Sequence, residues 1–177
     1  MSDSYIDRWL PWYGVDDTQQ PYGDPLTYRV GADFLRGLSI EDWGCGYGWF
    51  RSVHDGPYLG VDGTASRWCD VVADLRQYKS QSEGIWMRGV LEHNPEWPVI
   101  LNNVCASATD RLVIVVFTPD GGGQQIGFTE ELGVPDLAIP WSAIDNALTS
   151  HGFIFDRHVY VTSSAYGNEV VWLARKQ

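Results

Sequence analysis

The residues best suited to chemistry in this chain are carboxylates set around glycines. Asp42 precedes Gly44, Gly46 and Gly48, which alternate with Cys45 and Tyr47. Glycines at this spacing let a chain turn sharply after a strand and approach a ligand without Cβ interference. Asp62 and Asp74 close two further β-prone runs, and a carboxylate accepts hydrogen bonds from ligand hydroxyls more strongly than a neutral group. Glu92 and His93 stand together after a fourth such run. A histidine there, with a pKa near neutrality, is fit to take a proton from a hydroxyl. The pair is equally fit to hold a turn together by hydrogen bonds. The glycine pattern is not the dinucleotide fingerprint, which needs a third glycine where Trp49 stands.

Positioning these groups requires strands that end at them. Ile40 to Trp43, Tyr58 to Asp62, Asp70 to Leu75, Gly84 to Val90 and Arg111 to Phe117 read as five such strands. The aromatic residues after Gly48 are fit to begin a helix. Apolar spacing predicts helices over Leu26 to Leu38, over Pro95 to Ala108 with Pro in the first turn, and over Trp141 to Ser150 ahead of Gly152. Phe153 to Val161 and Asn168 to Ala174 read as strands joined by a turn-rich link. Strands alternating with helices imply a parallel α/β sheet. Only Thr64 to Cys69 separates the second and third strands, while a parallel crossover normally takes about a dozen residues. The third strand is therefore expected to be short or irregular.

In order and content these motifs resemble the class I S-adenosylmethionine (SAM)-dependent methyltransferases, from about Asp24 to the C-terminus. The resemblance implies a three-layer Rossmann-like sandwich, with a mostly parallel seven-stranded sheet and a C-terminal antiparallel hairpin. It places SAM against Asp42, Gly44, Cys45, Gly46, Gly48, Asp62, Gly63, Asp74, Leu75 and Arg88. Asp42 would meet the cofactor's amino group, Asp62 the ribose hydroxyls and Asp74 the adenine amino group. Glu92 and His93 would face the reacting methyl. In some relatives a Glu-x-x-Glu-His pattern holds a divalent metal; Gly89 stands at the first Glu position here, so no metal is expected. The Asp/Asn-Pro-Pro-Tyr/Phe signature of amino-methylating DNA enzymes is missing from Arg88 to Pro95, and no Pro-Cys nucleophile is present.

A length of 177 residues suits one domain with a sizeable core. Twelve basic against 23 acidic residues give a formal charge of −11, which argues against a nucleic-acid partner. Three scattered cysteines, Cys45, Cys69 and Cys105, suggest a reducing cytosol. No apolar run reaches membrane-spanning length and no signal peptide is evident, so a soluble, cytoplasmic protein is expected. Residues 1–24 read as an aromatic arm, and 120–140 as a long, glycine-rich acceptor-side loop carrying Glu130, Glu131 and Asp136. Arm and loop either cover an acceptor or simply pack on the core. The expected activity is methylation of a small-molecule or saccharide hydroxyl. The alternative is a binding module that holds SAM or S-adenosylhomocysteine (SAH) without turnover.

Overall fold

The computed structural model describes residues 25–129 and 133–177. The aromatic arm, Glu130 and Glu131 lie outside the described residues.

β1 (Ile40–Trp43), β2 (Tyr58–Asp62), β3 (Val71–Val72), β4 (Ser82–Arg88) and β5 (Ala108–Val116) run parallel. β6 (Gln125–Thr129) and β7 (Val134–Leu137) pair apart from them. β9 (Asn168–Lys176) inserts antiparallel between β5 and β8 (Phe153–Val161). The main sheet thus has seven strands in the order β3-β2-β1-β4-β5-β9-β8. The chain crosses from β1 outward to β3 and then returns to β4, so the sheet reverses direction beside β1. In open α/β sheets, ligands bind at the carboxyl ends of the strands where such a reversal opens a crevice.

Three helices cover the sheet. α1 (Pro25–Phe34) lies on one face, and α2 (Trp97–Ser107) and α3 (Trp141–Ser150) lie on the other. Ile100, Leu101 and Val104 of α2 and Ile144 and Leu148 of α3 pack with Trp43, Met87, Ile114 and Trp172. On the opposite face Tyr28, Leu35, Phe50 and Trp86 form a second cluster, in which Phe50 stacks on Trp86 at 4.2 Å. α1 approaches so closely that a Cβ on Gly31 would stand 2.1 Å from Trp86. Two of the buried indoles keep their N–H groups satisfied, as aromatic cores require. Trp43 donates to Glu41 at 2.8 Å and Trp172 to Asp145 at 2.8 Å.

Several expectations need correction. No α-helix follows the glycine turn; only a 3-10 turn, Trp49–Ser52, is formed before Gly56 and Pro57 lead into β2. Residues 49–57 are too few for a full helix and the return to the sheet. β3 is short, as the brief crossover before it implies; its two residues end before Asp74, which therefore does not close the strand. The 120–140 segment is not an irregular loop, because β6 and β7 pair antiparallel within it as a separate hairpin. Weak periodicity hid it: all of β7 is buried while β6 is largely exposed. β7 packs against the turn that carries Glu92 and His93. No described helix is long and apolar enough to cross a membrane.

Candidate functional site

The glycine turn is bonded to the end of β2. Gly44, Gly46 and Gly48 have φ of 76°, 49° and 66°, the left-handed region that side chains with a Cβ resist. In that conformation Gly44 N–H and Cys45 N–H both donate to the Val61 carbonyl, at 2.7 and 3.2 Å. Gly46 N–H donates to the Asp62 carboxylate at 3.0 Å. The other Asp62 oxygen accepts from Thr64 N–H at 2.8 Å, and the Gly63 amide adds to the cluster. Asp62 is thus a buried hinge pin for the turn. With the Thr64 hydroxyl, which also bonds Asp62, four donors meet a carboxylate's roughly four acceptor positions.

Asp42 flanks the same turn. It is 3% exposed, sits beside Trp86 in the sheet and accepts from the Tyr58 hydroxyl. Burial pushes its pKa up to about 7, and the nearby Asp62 charge pushes the same way against Tyr58 and Arg51. Burial likewise raises Asp62, against its backbone donors. Two desolvated carboxylates about one glycine turn attract positive charge.

Not every expected group joins them. Cys45 and Gly48 lie in the turn, with Cys45 Sγ directed at the Trp68 carbonyl. Asp74 is held by the Arg76 guanidinium and backbone N–H, and Arg76 reaches on to Glu96. Leu75 is buried in the α2-side core. Arg88 is turned to the α1 face, where its guanidinium pairs with buried Glu169 and donates to the Tyr28 hydroxyl at 3.0 Å. Thr27 donates to the second Glu169 oxygen at 2.6 Å. The Arg88 side chain therefore ties α1, β4 and β9 together, a use that no local sequence pattern announces.

Beyond β4, a 3-10 turn (Leu91–His93) sends its two polar side chains in different directions. Glu92 is fully buried and accepts from Phe117 N–H at 2.7 Å, joining the ends of β4 and β5. Of the two readings open to Glu92, facing the reacting methyl or holding the turn, this bond is of the second kind. His93 Nδ1 lies 3.1 Å from the Pro135 carbonyl and 3.4 Å from Asp136 Oδ1. A carbonyl oxygen only accepts, so Nδ1 carries the proton and the lone pair of neutral imidazole falls on Nε2. Tyr166 O–H donates to the other Asp136 oxygen at 2.9 Å. The His93 and Tyr166 hydrogen bonds hold the Asp136 pKa below the usual carboxylate value.

The roles of Asp136, Tyr166 and Glu169 are not visible in the sequence. The Val-Pro-Asp-Leu run containing Asp136 carries no motif, and Tyr166 sits in an ordinary turn. Among the described residues, no group of three or more His, Cys, Asp or Glu side chains could hold a metal ion.

Comparison with known proteins gives the following. No protein-family profile matches this chain, and no curated protein matches it. Solved structures do. N-methyltransferase NodS from Bradyrhizobium japonicum WM9, complexed with SAH, superposes with a TM-score of 0.67 at 15% identity, covering 98% of this chain and 99% of that one. Magnesium protoporphyrin IX methyltransferase from Synechocystis PCC 6803, with bound SAH, gives 0.62 at 19% identity, covering 97% and 94%. The chain has the class I SAM-dependent methyltransferase fold. The same fold is shared by the cyclase SpnF, at a TM-score of 0.64 and 13% identity over 97% and 92%. The methyltransferase fold thus carries more than one named reaction, and the site must argue the chemistry.

Proposed function

We propose that this protein is a SAM-dependent methyltransferase acting on a hydroxyl of a small molecule or saccharide. The observation that carries the reading is the glycine turn pinned by Asp62 and flanked by a second buried carboxylate, Asp42. These residues fit SAM, whose ammonium and sulfonium are positive and whose ribose offers two hydroxyl donors. Asp42 would take the ammonium, and Asp62 the ribose once the Thr64 hydroxyl turns away from it. Gly44 to Gly48 would line the cofactor with backbone alone.

SAM, when bound, supplies a methyl group on a positively charged sulfur that leaves as a thioether. The chain's part is to orient the acceptor and manage its proton. His93 is set for this: the Pro135 carbonyl and Asp136 fix the imidazole, and Nε2 takes the hydroxyl proton as the oxygen attacks. The imidazolium so formed is stabilised by Asp136, itself steadied by Tyr166. Glu92 and Arg88 hold the frame without touching the acceptor.

The neighbours' names include a porphyrin and an N-methyltransferase, so the fold does not select oxygen over nitrogen. The choice of a hydroxyl rests on the fixed imidazole base. Screening hydroxylated acceptors with methyl-labelled SAM tests it. A binding module without turnover would bind SAH equally and give no labelled product, and the His93–Asp136 pair favours turnover.

A further inference from the structure

Phe117 and Tyr166, which touch the His93 cluster, also line a cavity of about 110 Å³. Thr118, Asp120, Trp141 and Val159 contribute to the rest of its wall, with Val159, 54% exposed, at its mouth. Two of the lining residues carry a polar atom that lacks what buried groups need. Thr118 is 1% exposed, yet its hydroxyl has no hydrogen-bond partner among the described residues. The buried indole Nε1 of Trp141 has none either. Unpartnered buried polar groups are rare because they are costly, and they mark places that another molecule completes.

The chemistry of the missing partner can be read from the wall. An indole only donates, while a hydroxyl both donates and accepts. One ligand oxygen able to accept from the indole and exchange a hydrogen bond with Thr118 would satisfy both. No Lys or Arg lines the cavity, and Asp120, which accepts from the Trp141 backbone N–H at 2.8 Å, is the charge present. Arg157 lies 5.4 Å over the Trp141 ring but is bonded to Asp145 at 2.7 Å. An anionic group is therefore disfavoured. Asn168 adds a neutral amide, and the rest of the wall is aromatic and aliphatic. The volume is somewhat below the roughly 150 Å³ apolar cavity that holds benzene, so one ring seats with part of it in the mouth.

We propose that this cavity is a subsite for a neutral, hydroxyl- or carbonyl-bearing ring, its oxygen held by Trp141 and Thr118. Naming that ring as part of the methyl acceptor rests on the methyl-transfer reading; the cavity itself does not. Phe117 lies 5.4 Å, ring to ring, from His93, so an acceptor seated here extends past it toward the imidazole.

The test is a nuclear magnetic resonance titration of the full chain, labelled with ¹⁵N at its nine indoles, without SAM. The Trp141 signal is assigned by its loss in Trp141→Phe. The probes are phenol, its isostere toluene, and benzoate. Phenol should shift the Trp141 signal saturably, with toluene and benzoate at least roughly tenfold weaker, the size of one lost hydrogen bond. Thr118→Val, which keeps shape, should weaken phenol by a similar factor. Toluene binding as well as phenol, or a Trp141 signal unmoved by phenol, would overturn the subsite. Absence of SAH binding in a separate titration would instead overturn the methyl-transfer reading and leave this result standing.

Discussion

Asp136 Oδ1, from the inserted β6–β7 hairpin, lies 3.4 Å from Nδ1 of His93, beyond β4. Residues so far apart in the chain meet because β7 packs on the turn after β4. If the pair works as base and orienting group, each should act on turnover and spare cofactor affinity. His93→Ala should reduce turnover by about 10²–10⁴-fold. Asp136→Asn, which leaves the Pro135 carbonyl bond but removes the charge that stabilises the imidazolium, should cost roughly 10–100-fold, the loss that metal-bound histidines show without their orienting partner. Single-turnover rates with labelled SAM would show this, alongside unchanged SAH affinity. Equal loss of SAH affinity would mean the pair supports the fold instead.

Acid should not disarm Asp136 in the neutral range. Its pKa is lowered by His93 and Tyr166, so its contribution to stability is present above the unfolded carboxylate value. That contribution is lost only as pH falls through the still lower folded value. Asp42 has the opposite sign. Its folded pKa of about 7 exceeds the ordinary value of 3.8, so the folded state binds the extra proton between them. Stability should rise as pH falls from about 7 toward 4 and be lost as pH rises through 7. Urea midpoints at about pH 5.5 and about pH 8 read the difference, which Asp42→Asn should shrink.

The Arg88–Glu169 pair gives a prediction about stability alone. Glu169 is fully buried, so Arg88→Met strands a charge and should cost about 3–5 kcal/mol in denaturant unfolding. Adding Glu169→Leu should recover much of the loss. Full stability but poor SAH binding in Arg88→Met would return Arg88 to the cofactor.

Gly44 combines a positive φ with a crowded neighbour, since a Cβ there would meet Val90 Cγ2 at 2.3 Å. Gly44→Ala should cost about 1–3 kcal/mol from the strained backbone and the displaced valine. Thermal unfolding of that variant checks it. A neutral result would show that the turn relaxes freely.

Much of this architecture is legible in the sequence because it follows local rules. The alternation of strand and helix implies the parallel sheet, Gly152 marks the end of α3, and turn residues bound the hairpin of β8 and β9. Asp42, the glycines and Asp62 are readable for the same reason: they cluster at strand ends. The hairpin of β6 and β7 is not, because burial of successive residues along β7 erases the period of two. Nor are the partners of Arg88 and Glu92. Glu169 lies 81 residues from Arg88, and the Phe117 amide 25 from Glu92. Such pairings depend on tertiary packing, which a linear pattern does not record.

The most direct test of the account is calorimetric titration of the intact chain with SAH, SAM and NAD at about pH 6.5 in buffers of different ionisation enthalpy. Asp42, with a pKa of about 7, is partly protonated there, and a bound ammonium should drive its proton off. The account predicts saturable binding of SAH and SAM, none of NAD, and proton release that disappears in Asp42→Asn. Asp62→Ala should weaken binding by about 1.5–3 kcal/mol, the worth of a charge-assisted hydrogen bond. No SAH or SAM binding by the folded chain, or SAH affinity unchanged in Asp62→Ala, would contradict it.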